Sequence, residues 1–218
     1  MTATRKQVTV EGGGVALPGD LTVPEDPSGL VLFAHGSGSS RRSPRNQAVA
    51  ASLNEAGFGT LLFDLLTADE ERLDARTAEL RFDIMLLARR LTMAVDWLDG
   101  NGAPTGRLPY GLFGASTGAA AALVTAGERR ARVRAVVSRG GRPDLAGPLL
   151  AYVRAPVLLI VGGADVQVRL LNEAIFGDLP DGSDLTVVPG ASHLFEEPGA
   201  LDQVALLAAD WFTRHLRG

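Results

Sequence analysis

Short, uninterrupted apolar runs recur along this chain and constrain its fold more than any other feature. They are GLVLFAH (29–35), GTLLFDLL (59–66), LPYGLFGA (108–115), RAVVS (134–138), APVLLIVGG (155–163) and DLTVVPG (184–190). A strand with one face in water alternates apolar and polar residues, whereas a run that is apolar at every position leaves no face for solvent. Such runs belong in a sheet covered on both sides. Helix-patterned segments alternate with them, and that order predicts an α/β architecture with a mostly parallel, doubly wound sheet. The stretch PRNQAVAASLNEAG predicts a helix with Pro44 at its start and Gly57 just past its end. Leu80, Ile84, Leu87, Leu91, Val95 and Leu98 recur at helical spacing and predict one face of a long helix. Residues 199–216 predict a third, turning Leu201, Val204, Leu207, Trp211 and Leu216 toward the sheet. Upstream, QVTVEGGGVALPGDLTVP reads as one or two antiparallel strands around Gly12, Gly13 and Gly14.

Length and composition narrow the function classes. The 218 residues suit one domain spanning 1–218, and 46% hydrophobic with 21% charged residues is a globular composition. A formal net charge of -4 gives no reason to expect a nucleic-acid partner. The chain has no cysteine, which excludes disulfides, Cys-ligated zinc and a thiol nucleophile. The opening MTATRKQVTVEGGG lacks the apolar stretch of a signal peptide, and no run reaches the ~18 apolar residues of a membrane span. A cytoplasmic protein without a membrane partner is the expectation. Methionines and aromatics read as core, with no cofactor box and no metal site.

The stretch GLFGASTGAAAA carries the chemistry. Gly114-Ala115-Ser116-Thr117-Gly118 fits G-x-S-x-G, a sharp strand-to-helix turn that exposes its serine, and here a strand candidate ends at Ser116 and a helix candidate begins there. A serine hydroxyl needs a general base and a group that orients the base. Of His35, His193 and His215, His193 in PGASHLFEEPG follows the last strand candidate, where an open α/β sheet presents residues at its carboxyl edge. His35 reads as ordering its own loop. His215 falls in the last helical turn, which suits a helix-dipole or solvated role. The acid should end a strand between Ser116 and His193. Asp165, after Gly162 and Gly163, is the preferred residue, Asp144 is its rival, and Asp178, Asp181 and Asp184 lie in or beside a surface turn. Oxyanion donors are expected from the backbone N–H of Thr117 and from the AHGSGSS loop, at Ser37 or Gly36.

Together the HGSGSS loop, the GASTG turn, the GGADVQV acid turn and the GASHLFEEPG loop resemble the α/β-hydrolase superfamily, and specifically its dienelactone-hydrolase-like branch. The resemblance runs from about residue 20 to the C-terminus. It implies a catalytic triad of Ser116, Asp165 and His193, with serine where dienelactone hydrolases proper use cysteine. The implied activity is hydrolysis of a small carboxylic ester or lactone through an acyl-enzyme, with no cofactor. An acyltransferase using the same acyl-enzyme, or a non-catalytic module on the same fold, are the alternatives.

Residues 139–155, RGGRPDLAGPLLAYVRA, are too few for a cap domain between the strands they join, so an open site is expected. The same segment holds Arg139 and Arg142, and the loop after His35 holds Arg41, Arg42 and Arg45. Arginine suits bidentate recognition of carboxylate or phosphate, which makes Arg139 or Arg142 a candidate for holding a substrate anion.

Overall fold

A computed structural model describes residues 3–100 and 108–217; the remaining positions of the expected domain 1–218 lie outside the described residues. Eight strands form one sheet in the order β1-β2-β4-β3-β5-β6-β7-β8. The first two, β1 (Ala3–Gly12) and β2 (Val15–Pro24), are an antiparallel hairpin closed by Gly13 and Gly14, both at positive φ. That two-residue turn matches the twist of the strands it joins and asks for residues that tolerate left-handed φ. β2 runs antiparallel to β4 (Gly59–Phe63). All later pairings are parallel: β3 (Leu30–Ala34), β4, β5 (Tyr110–Ala115), β6 (Val133–Arg139), β7 (Val157–Gly162) and β8 (Asp184–Val188).

Burial on two faces explains the continuous apolar runs of β3 to β7, whereas β8, at the edge of the sheet, is mostly half-buried and corrects the expectation for DLTVVPG. Along β3, Leu30, Leu32 and Ala34 join a core with α3 (Ile84–Gly100) and α4 (Thr117–Glu128), through residues such as Leu91, Val95 and Leu123. Val31 and Phe33 alternate onto the opposite core with α1 (Pro44–Glu55) and α6 (Ala200–Leu216), through Val49, Leu53, Val204, Trp211 and Phe212. The expected helix starting at Pro44 is capped by Ser43, whose hydroxyl accepts from the Asn46 N–H, and Gly57 follows its end at positive φ. In α6, Val204, Trp211 and Leu216 are buried as expected, whereas Leu201 and Leu207 are only partly so.

The expectation of one helix from Leu80 onward needs correction. Leu80–Phe82 is a separate 3-10 turn, because the Asp83 carboxylate accepts the Leu86 N–H at 2.8 Å and so starts α3 anew. Two helices were not foreseen. These are α2 (Ala68–Thr77) and α5 (Val166–Ile175). The first begins with a capping box, Thr67 and Glu70 bonding reciprocally to each other's backbone N–H. Between β6 and β7 there is no cap domain. The connection forms a kinked 3-10 segment, Pro143–Tyr152, against α4. Among the described residues no helix is long and apolar enough to cross a membrane.

β3 and the first turn of α4 approach each other backbone to backbone. A methyl group built on Gly118 would overlap the Ala34 carbonyl, and one on Gly114 would overlap the backbone of Ala119. Backbone cannot move aside as a flexible side chain can, so Gly118→Ala is expected to cost at least the ~1–3 kcal/mol typical of overpacking. Gly100, where a methyl meets nothing within 4 Å, supplies the control. Urea denaturation should show a large loss for Gly118→Ala and little change for Gly100→Ala; equal stabilities would contradict this close approach.

Candidate active site

The strand order reverses at β3. From there the chain moves to β4 on one side, then returns across β3 to β5 on the other, so the carboxyl ends of β3 and β5 flank the crevice where open α/β sheets bind ligands. The loop 35–37 leaves β3 at that point, and Ser116 stands at the end of β5 as the residue before α4.

Ser116 has φ 51° and ψ -122°, a conformation that L-residues avoid. Such strain persists only where surrounding bonds over-determine it. Here the Ser116 N–H donates to the Arg139 carbonyl at 3.3 Å, and its own carbonyl accepts from the N–H groups of Ala119 and Arg142, both at 3.1 Å. The flanking glycines let β5, α4 and the loop after β3 converge on it, and a methyl on Gly36 would sit 2.9 Å from the Ser116 Cβ.

Thr117 opens α4, where the first N–H groups have no acceptor within the helix. Its hydroxyl lies 3.2 Å from that of Ser37, which ties the two expected oxyanion elements together. His35 stabilises this loop from beneath. Its Nε2 accepts the Leu65 N–H at 3.1 Å, so Nδ1 carries the proton and donates to the Gly36 carbonyl at 3.1 Å. Beside the loop is a cavity of about 210 Å³, walled on one side by Gly36, Ser37, Ser39 and Thr117. Its other wall is Glu71, Asp74 and Arg81 of α2 and the following turn. The crevice beside the loop after β3 is therefore bounded by α2, although no cap domain is present. Arg81 holds this wall in place, its backbone N–H and Nε donating to the Asp74 carboxylate at 2.9 and 2.7 Å. The T-x-x-E sequence at Thr67–Glu70 was the signal that could have revealed α2.

Asp165 and His193 are brought together. His193 Nδ1 lies 2.7 Å from Asp165 Oδ2, and since an ionised carboxylate only accepts, Nδ1–H donates and Nε2 is left as the acceptor. The acid turn and the histidine loop are bound to each other through backbone. Gly163 N–H donates to Val188 at 2.8 Å and Ala164 N–H to Ala191 at 2.9 Å. In the histidine loop, Ser192 N–H donates to the Glu197 carboxylate at 3.0 Å, and buried Phe195 takes a positive φ of 57°. Asp165 also precedes α5 as its N-cap. Between Ser116 and Asp165 lies the end of β6, where Gly140 faces the histidine: a methyl there would be 3.5 Å from His193 Nδ1. Asp144 is occupied elsewhere, receiving both arms of the Arg142 guanidinium at 2.8 Å. His215 lies in the last turn of α6 with its ring centroid 4.4 Å from that of Trp211.

The arginines at this edge divide. Arg41 pairs with Asp64 and Asp20, Arg45 with Glu196, and Arg142 with Asp144, while Arg42 is exposed. Arg139 is 7% exposed and its Nε and Nη1 have no hydrogen-bond partner.

No protein-family model matches the chain. A dienelactone hydrolase from Anabaena variabilis is 56% identical, with a TM-score of 0.96 and 99% of each chain covered. This chain belongs to the dienelactone-hydrolase-like branch of the α/β-hydrolase superfamily. The dienelactone hydrolase-like promiscuous phosphotriesterase P91, from metagenomic libraries, shares that fold at 19% identity and a TM-score of 0.77, with 98% of each chain covered. A protein of Mycobacterium tuberculosis named "Putative phosphoribosyl transferase Rv0571c" is 59% identical over 213 residues, which is 98% of this chain and 47% of that one. The chain thus spans about half the length of the curated relatives it matches.

The buried His35 makes stability depend on pH. Burial disfavours its charged form and lowers its pKa, outweighing the Gly36 bond and the Asp64 charge. The unfolded chain, titrating near ~6.5, then binds the proton first, so this contribution is complete above that value and is lost as pH falls toward the folded pKa. Urea midpoints should drop between about pH 7 and pH 5, with a shallower drop in His35→Gln. An identical slope in both proteins would assign the acid sensitivity to other groups.

Proposed function

We propose that the chain is a serine hydrolase of small carboxylic esters or lactones, with Ser116 as nucleophile, His193 as general base and acid, and Asp165 as the group that orients and stabilises the histidine. The observation that carries this reading is the 2.7 Å bond between His193 Nδ1 and Asp165 Oδ2 at the same sheet edge as the strained Ser116. With Nδ1 committed to the carboxylate, Nε2 is the ring atom able to take the Ser116 Oγ proton. The alkoxide oxygen attacks the carbonyl carbon and negative charge moves onto the carbonyl oxygen. The N–H of Thr117, with Ser37 or Gly36 across the crevice, supplies donors for it. Collapse expels the alcohol, which takes its proton from His193, and water repeats the sequence to release the acid.

The family supports the reaction class. The Anabaena relative is named a dienelactone hydrolase. The cavity of about 210 Å³ beside the oxyanion loop supports a small group on one side of the scissile bond. The M. tuberculosis name belongs to a protein of which this chain matches 47%. We therefore attribute the named phosphoribosyl transfer to the portion that this chain does not span.

A fluorophosphonate probe should label the wild type on Ser116, and Ser116→Ala should lose both labelling and p-nitrophenyl ester turnover while its urea midpoint is retained. An unlabelled, inactive wild type would favour a non-catalytic module. The acid is tested separately. Asp165→Asn should lower kcat by on the order of 10⁴, as loss of the orienting carboxylate does in serine triads. Asp144→Asn should stay within a few-fold of wild type; the opposite ranking would move the acid to the earlier strand.

A further inference from the structure

Most polar groups at the carboxyl edge have partners, and Arg139 stands out among them. It is the last residue of β6, and strand alternation places its side chain on the same face as Ala135 and Val137, under α1 and α6. It is 7% exposed, and no carboxylate or other acceptor meets its Nε or Nη1 among the described residues. Burial lowers its pKa to about 10, with the nearby charge of Arg45 adding to the shift, so it remains a cation at neutral pH. A buried cation without a counter-charge is costly, and native structures rarely leave one so.

Three features make this a place for an anion. Arg45 is close enough for its charge to act on Arg139, and its own Nε is buried and idle. Among the described residues its one ion pair runs from Nη1 to Glu196, an exposed carboxylate, at 3.0 Å. Both arginines therefore present unused donors to the same region. Arg45 also lies in the first turn of the 12-residue α1, which has no acidic residue there to meet the positive end of the helix dipole. Finally, the backbone that carries this side chain adjoins the chemistry: the Arg139 carbonyl accepts the Ser116 N–H, and the next residue, Gly140, lies against His193. Arg142, the other candidate in this segment, is already paired with Asp144.

We propose that Arg139, assisted by Arg45, forms a subsite for an anionic group, a carboxylate or a phosphate, carried by the substrate next to the ester bond that Ser116 attacks. This rests on the serine-hydrolase reading for the identity of the substrate. The guanidinium offers a planar, two-donor edge that matches either oxyanion group, and a neutral ester would leave that edge empty.

The test compares kcat/KM for p-nitrophenyl hydrogen succinate, whose acyl chain ends in a carboxylate, with that for p-nitrophenyl butyrate. The ratio is taken within each protein, so any general loss of activity cancels. The wild type should prefer the anionic ester about ten- to a hundredfold. Arg139→Gln should lose at least tenfold of that preference, and Arg139→Lys, which keeps the charge without the fork, should fall between. Inorganic phosphate and acetate distinguish the two anion sources: the better matched one should inhibit competitively and raise the Tm of the wild type, and do neither in Arg139→Gln. If Arg139→Gln does not fold, Arg139→Lys and anion inhibition of the wild type decide. Equal ester ratios in wild type and variant, with Ser116 still labelled by fluorophosphonate, would overturn the subsite and leave the hydrolase reading standing. If Ser116 is not labelled at all, the hydrolase reading fails, and Arg139-dependent stabilisation by phosphate or acetate alone upholds or overturns the anion site.

Discussion

Helix α4 begins so close to β3 that the position of Gly118 has room for a hydrogen and nothing larger, since a methyl would fall on the Ala34 carbonyl. Much else at the sheet edge follows from that approach. It forces the chain to turn within Ala115-Ser116-Thr117, which places Ser116 at positive φ, and it brings the start of α4 against the loop that leaves β3. The Thr117 and Ser37 hydroxyls meet across the same gap. The strain at Ser116 is tolerated because its backbone N–H and carbonyl are held by Arg139, Ala119 and Arg142, so relieving it would break bonds on two neighbouring elements.

Around this centre the edge is ordered mainly by backbone bonds and charge pairing. The acid turn and the histidine loop are linked by amides of Gly163 and Ala164, which fixes the Asp165–His193 pair independently of its own hydrogen bond. Asp144 could sit at a comparable strand end, but its two oxygens are taken by Arg142. The same accounting that removes Asp144 and Arg142 leaves Arg139 as a buried cation with idle donors. Arg41, Arg45 and Arg142 nearby each meet a carboxylate, which is what sets Arg139 apart.

Much of the architecture could be read directly because its signals are local. Apolar runs such as LVLFA and VLLIVG, short and bounded by turn residues, read as strands covered on both faces, and Gly13-Gly14 reads as a hairpin turn by its own conformational needs. Spacing alone predicts one long helix from Leu80, because it does not register that the Asp83 side chain competes for a backbone amide and restarts the helix. Helix α2 escaped because its ADEERLDART sequence lacks an apolar stripe; a capping box and its place over the cavity define it instead. Its presence also gives a wall of Glu71, Asp74 and Arg81 to the crevice beside the loop after β3.

The sequence by itself determined the α/β layering, the strand-turn-helix around Ser116 and the short list of acids, bases and arginines from which a site could be assembled. These depend on periodicity, on glycine at positions that exclude a Cβ, and on order along the chain. Only the tertiary structure decided which members of the list meet. The choice of Asp165 over Asp144 as the histidine's partner, and the difference between paired Arg142 and unpaired Arg139, depend on which strand ends adjoin and which charges are already neutralised. Residues far apart in sequence acquire or lose partners only when the sheet sets their distances, and a buried charge has a cost only once solvent has been excluded around it.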